Sequence, residues 1–279
     1  MVTAPSATRP ARAGRVRMSP RRRALVTRRV QYAVLLVLAV VLVAVTDWAR
    51  IGDVFFNPDS LGQILPKLPH AAFNTVIYTL AAFSIGLALG LVLALMRLSA
   101  VKVYRVIATG YIEFFRGIPA LLVVFAFGYA LPAAFEVRFD SVVLQIGLAL
   151  GVVSAAYIAE TLRAGIQAVP KGQVEAARSL GMSSGATLVH VVIPQAFRIV
   201  LPPLTNEIVL LLKDTSLVFG LGLFVTDFEL TKVGRAALSE ADGGMTSLLA
   251  VGITYLLLTI PLSSLTRWLE RTTGYKGHV

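Results

Sequence analysis

Apolar runs long enough to cross a bilayer recur along this chain, and they leave few folds open to it. They lie at about 30–48, 72–96, 118–131, 141–159, 204–224 and 247–265. A helix needs about 20 apolar residues to span the hydrocarbon core. Composition agrees, with 56% hydrophobic residues, 15% charged residues and a mean hydropathy of +0.77. A soluble domain carries about 25% charged residues. The expectation is an all-α, polytopic integral membrane protein with six transmembrane helices.

Charge sets the orientation. Residues 1–29 hold nine Arg and no acid, which reads as a disordered tail. No small-residue cleavage site follows the apolar run from Tyr32 to Thr46. That run is therefore an additional, retained N-terminal span at 30–48, with Trp48 at the interface, rather than a signal peptide. Of the 26 Lys and Arg, 19 lie in the loops on the tail's side and five in the opposite loops. Arg116 and Lys213 lie inside spans. By the positive-inside rule both termini are cytoplasmic, including the 267–279 tail. The net charge of +11 is thus a topology signal with anionic-lipid contact, rather than a sign of nucleic-acid binding.

The expected cytoplasmic segment between spans four and five is polar and broken by Gly and Pro. Pro170, Lys171 and Gly172 stop the preceding helix. Gln173 to Leu180 makes about two turns with Val174, Ala177 and Leu180 on one face. Gly181 suits the left-handed cap of that helix, and Ser183 or Ser184 caps a second short helix running to Pro194. Small residues at Ala176, Ala177 and Gly181 allow another protein to approach closely.

These residues carry a resemblance. Glu175-Ala176-Ala177, Gly181 and Val191-x-Ile193-Pro194 resemble the EAA loop of ABC-transporter permeases. Val191 and Ile193 depart mildly from that loop's usual Ile-x-Leu-Pro. The runs AVPKGQ at 168–173, SLGM at 179–182, PQAFR at 194–198, LPPLTNE at 201–207, LLKDTSL at 211–217 and EFFRGIP at 113–119 resemble the polar amino acid branch (histidine, glutamine and glutamate permease type). The similarity runs from about 74 to 265, leaving the tail and first span outside.

The resemblance implies a permease domain over 72–266, with five core spans and an EAA loop at about 165–200. It implies a subunit of a bacterial ABC importer in the cytoplasmic membrane. Its partners would be an ATP-binding cassette ATPase dimer, a second permease subunit (identical or different) and an extracytoplasmic amino-acid-binding protein. Glu175, Ala176, Ala177, Leu180, Gly181, Met182 and Pro194 would couple to the ATPase. ATP and Mg would be bound by that partner and no cofactor by this chain, which has no GxxxxGK[ST].

Ionisable residues within spans mark function or internal pairing. Lys213 and Asp214 are expected near mid-bilayer in the fifth span. They either line the translocation path or join an ion pair with Glu113, Arg116 or Glu207. Glu160, Glu113 and Arg116 complete the candidate path. Glu175 either complements its helix dipole or contacts the ATPase, and Arg178 can pair with it. With mixed charges in the path, the reading leans to glutamate, aspartate or glutamine, with a basic amino acid or an opine as the alternative. A secondary transporter without an ATPase would show internal repeats, which are not seen here. No Ser-His-Asp set or carboxylate pair supports a membrane enzyme. The three His and the absence of Cys offer no metal cluster.

Overall fold

The computed structural model describes residues 20–239 and 244–273; most of the Arg-rich segment and residues 274–279 lie outside them. The chain divides into two compact units, 1–51 and 52–279. In the first, α1 (Pro20–Val45) starts ten residues before the expected span, so Arg28 and Arg29 are helical. Its side chains from Ala24 to Val45 are exposed all round, as suits a helix solvated by lipid. Trp48 Nε1 donates to Val43 O at 2.9 Å just past its end. The helix α2 (Trp48–Phe55) carries the chain into the second unit.

In the second unit, α3 (Pro58–Ile64) is capped by Asn57, whose side chain accepts from the Asp59 and Ser60 amides. Two long helices form the centre, α4 (Leu68–Leu98) and α8 (Val142–Gln167). They approach closely because small residues face each other. A Cβ on Gly90 would stand 3.0 Å from Ala155 O, and one on Gly151 2.8 Å from Ile85. Gly86 and Gly90, four residues apart on α4, form the small-residue stripe of this contact. Towards the loop end, Leu93, Ile112, Ile158, Leu162, Val200 and Leu204 form one core cluster. Towards the other end, Tyr78, Ile146, Leu150, Leu211 and Val218 form a second.

Between α4 and α8, the helix α5 (Lys102–Gly117) meets α6 (Ala120–Phe125) at a 101° bend across Ile118 and Pro119. A π-helical stretch, Ala126–Ala130, leads into α7 (Leu131–Phe135). The described residues therefore hold five helices of spanning length and composition, or six spans if the bent pair counts as one. The third span does not end at 131 as expected, because Pro132 does not stop the helix. Pro132 sits in the first turn of α7, directly after a widened turn that already lacks the hydrogen bond Pro would break.

The same device recurs beyond α8. After α9 (Lys171–Ser179) and α10 (Ser184–Thr187), a π-helical stretch at Leu188–Val192 precedes Ile193 and Pro194. Helix α11 (Ile193–Asp214) then starts well before the expected 204 and tolerates Pro202 and Pro203 inside it. A 3₁₀ segment, Thr215–Gly220, finishes this span. The last helices are α12 (Leu230–Ala237) and α13 (Thr246–Thr273).

The segment before α12 is fastened to α4. His70 Nε2 and Asn74 Nδ2 donate to Thr226 O, and Tyr78 Oη donates to Asp227 O at 2.8 Å. Glu229 is fully buried and caps α12 by accepting from the Thr231 and Lys232 amides.

Candidate functional site

The polar loop between α8 and α11 folds as its turn chemistry requires. Gly181 has φ +85°, the left-handed conformation that glycine adopts without a steric cost. Around it Met182 N donates to Ala177 O and Gly181 N to Arg178 O, the paired bonds of a Schellman cap. Ser183 Oγ then accepts from Ala186 N and starts α10. Arg178 donates to Met182 O at 2.6 Å, bracing the turn instead of pairing with Glu175.

Val174 packs on the small cluster of Val169, Val192 and Ala196, and Ala177 is buried. Leu180 does not share that face as expected. The helix ends before it and Leu180 stands 85% exposed, beside exposed Glu175 and Ala176. Pro194 is exposed at the start of α11, and Met182 is partly buried. The loop therefore presents Leu180 as an apolar knob, with small residues beside it, on a hydrogen-bonded turn. His190 bonds only its own helix, at Ala186 O.

The candidate path residues fall into three places. Asp214 lines a cavity of ≈ 250 Å³ with Glu207, one α11 carboxylate two turns below the other. Ser154 and Tyr157 from α8, Ile118 and Ala120 at the bend, and Leu210 complete most of its wall. Glu160 lies one turn from Tyr157 but takes part in an ion-pair cluster, accepting from Arg97 at 2.8 Å and from Arg163. The Arg116 guanidinium stands 5.8 Å from the centre of the Tyr157 ring. Glu113 is exposed on α5 and Lys213 is exposed on α11. Among the described residues, Lys213 forms no ion pair within 4 Å, so the expected partners Glu113 and Glu207 do not meet it.

Glu207 enters the sequence reading only as a partner for Lys213. Its signal was available, since Glu207 and Asp214 are seven residues apart and so share a helix face. Tyr157 had no such signal; its place depends on how α8 is rotated against α11.

Comparison with known proteins decides the family. The profile of the binding-protein-dependent transport system inner membrane component family matches residues 86–275, more than half of the chain. The chain belongs to that family. This permease is 38% identical over 203 residues to the probable glutamine ABC transporter permease protein GlnM of Bacillus subtilis, covering 71% of this chain and 89% of that one. It is 33% identical over 222 residues to the glutamate/aspartate import permease protein GltK of Escherichia coli O6:H1, covering 76% and 97%. A crystal structure of an amino acid ABC transporter with histidines superposes with a TM-score of 0.70 at 34% identity, over 76% of this chain and 97% of that one. The permease is thus a multi-pass protein of the cytoplasmic membrane with an ABC permease fold.

Proposed function

We propose that this permease moves a polar amino acid inward through the cavity between α8 and α11, driven by a separate ATPase that docks on the α9–Gly181–α10 loop. The observation that carries the reading is the pair of carboxylates, Glu207 and Asp214, on the wall of a cavity inside a membrane bundle. Carboxylates in that setting are unfavourable unless a cation or a polar ligand meets them. The α-ammonium group of an amino acid supplies one. The names of the relatives, glutamine and glutamate/aspartate permeases, support an amino acid as the cargo.

In this reading the loop faces the cytoplasm, an ATPase dimer binds ATP and Mg, and a binding protein delivers substrate from outside. A second permease subunit completes the pathway. Leu180 fills a recess on the ATPase, and Gly181 keeps the two short helices at a fixed angle. Closing of the ATPase dimer then moves α8 and α11, which flank the loop and the cavity alike. Two carboxylates also favour a substrate with a second cationic group over one with a second carboxylate. A basic amino acid is therefore the second reading within this class.

Two measurements test this. In vesicles with the ATPase and binding protein, Glu207→Gln with Asp214→Asn abolishes labelled amino acid uptake while membrane insertion is kept. Competition by glutamine, glutamate and arginine ranks the substrates. A substitution at Gly181 meets no atom within 4 Å, so Gly181→Ala costs only the left-handed backbone penalty, about 1–2 kcal/mol. Gly181→Asp adds a charge at the docking face and lowers ATPase capture in pull-downs. Wild-type capture and uptake by Gly181→Asp would remove the loop from the coupling path.

A further inference from the structure

An amino acid that enters the cavity brings an anion as well as a cation. One carbon separates its α-carboxylate from its α-ammonium. Set beside Glu207 and Asp214, that carboxylate is repelled by both, so a site for the whole zwitterion needs a cation at the same wall.

The cations on the surrounding helices differ in what they can do. Arg97 and Arg163 are taken up by Glu160. Arg198 stands about two and a half turns of α11 before Glu207. Lys213 is exposed and is not part of the cavity wall. Arg116 is placed differently. It lies in the last turn of α5, immediately before the bend, and the bend residues Ile118 and Ala120 belong to the wall. Its guanidinium stands 5.8 Å from the centre of the Tyr157 ring, and Tyr157 belongs to the wall as well. The bend and α8 thus put Arg116 at the rim by two separate routes.

Among the described residues, Arg116 has no acid within 4 Å. Glu113, three residues earlier on α5, does not pair with it, and Glu160 is held by the other two arginines. An aromatic ring attracts a guanidinium through its face. The planar fork of N–H donors then stays available for a carboxylate, which it meets with two parallel hydrogen bonds.

We infer that Arg116 receives the α-carboxylate of the transported amino acid, and that the Tyr157 ring positions it to do so. The substrate then lies across the cavity, its carboxylate on Arg116 and its ammonium on the stripe of Glu207 and Asp214. The inference rests on the amino acid reading above and adds a requirement to it: the permease itself, and not only the protein that delivers the substrate, distinguishes an amino acid from the amine or amide made from it.

Binding to the permease purified with its ATPase in lipid nanodiscs, without the binding protein, tests this. Labelled arginine, glutamine and glutamate are offered at about pH 6, where α-amino groups carry their proton. Each one that binds is then competed by its own unlabelled acid and by its α-amide, which keeps the ammonium and loses the anion. Wild type should prefer acid to amide by about ten-fold or more, the worth of a hydrogen bond to a charged group. Arg116→Gln should bind the amide as wild type does and lose the preference. Arg116→Lys should keep part of it, since the charge remains without the fork. Lys213→Gln and Tyr157→Phe should keep it in full, and Tyr157→Leu should reduce it. Glu207→Gln should weaken acid and amide alike. An unchanged acid-to-amide ratio in Arg116→Gln overturns the inference, as does a ratio that collapses in Lys213→Gln instead. Equal weakening of acid and amide by both Arg116→Gln and Arg116→Lys gives Arg116 a structural role only and also overturns it. A wild-type ratio in Tyr157→Leu overturns the part given to the ring. Absence of all binding in wild type overturns the transport reading and this inference with it, whereas binding with the ratio unmoved by Arg116→Gln overturns this inference alone.

Discussion

Arg97, in the last turn of α4, donates to Glu160 on α8 at 2.8 Å, and Arg163 shares the same carboxylate. One half-buried acid thus ties the end of one central helix to the other, about one turn from the cavity residue Tyr157.

The tie is asymmetric, and this predicts unequal mutants. Arg97→Ala leaves Glu160 with Arg163. Glu160→Ala leaves two guanidiniums with no acid between them. The side chains keep about a quarter of their exposure, so solvent screens both losses. Glu160→Ala is expected to cost about 1–2 kcal/mol and Arg97→Ala under about 1 kcal/mol. Thermal unfolding in detergent at low and high salt measures both, and an equal loss would mean that the two arginines do not share the acid.

Close approach of α4 and α8 predicts a second contrast. A Cβ at Gly90 would lie 2.9 Å from Ile158 Cγ2 and 3.0 Å from Ala155 O. Backbone cannot give way as a side chain can, so Gly90→Ala is expected to destabilise by about 1–3 kcal/mol through overpacking. Gly110, on α5, has nothing within 4 Å. Gly110→Ala should be neutral or stabilise by about 0.5–1 kcal/mol. The melting temperatures of the two variants, purified alike, check the sign of each.

Local chemistry was legible in the residues and depth was not. Gly181 and Ser183 announce their caps because the turn needs those side chains whatever surrounds it. Gly86 and Gly90 announce a close helix contact for the same reason. Pro132 and Pro194 mislead because a widened turn at Ala126–Ala130 and at Leu188–Val192 prepares the helix for each, and no residue pattern marks that widening. The run from 204 hides the true start of α11 at Ile193, since the extra turns are amphipathic rather than uniformly apolar. Which of Lys213, Asp214 and Glu207 reach the cavity depends on the rotation of α11 against α8, which spacing alone leaves open. Leu180 was placed with Val174 and Ala177 by helical periodicity, but the helix stops one residue before it.

Glu229 predicts a pH dependence. Burial pushes its carboxyl up to about 7 from the ordinary 4.5, although the Thr231 and Lys232 amides and Tyr255 Oη favour the charged form. A carboxyl raised on folding binds its proton more tightly in the folded state. Its contribution is full below about pH 4.5 and is lost as pH rises through 7. At about 1.4 kcal/mol per pH unit, the loss amounts to about 3 kcal/mol. Glu229→Gln should flatten the fall in unfolding temperature between pH 5 and pH 8. A wild-type protein equally stable across that range would mean that the hydrogen bonds outweigh burial.

The last prediction concerns the bent pair α5–α7. Between Asp59 on α3 and Ser184 on α10 the chain passes through α4, the pair and α8. If the pair crosses the membrane, three crossings put the two residues on opposite sides. If the pair only dips in and returns, two crossings put them on one side. The positive-inside rule predicts the first case, because it gathers Arg97, Lys102 and Arg105 with Arg163, Lys171 and Arg178 on one side. Both residues are exposed, and neither variant competes with a native thiol. An impermeant maleimide added to intact cells should label Asp59→Cys and spare Ser184→Cys until the membrane is opened. Labelling of both from the same side would make the pair a re-entrant loop. It would also leave the α9–Gly181–α10 turn on the side of α3, where no ATPase could reach it.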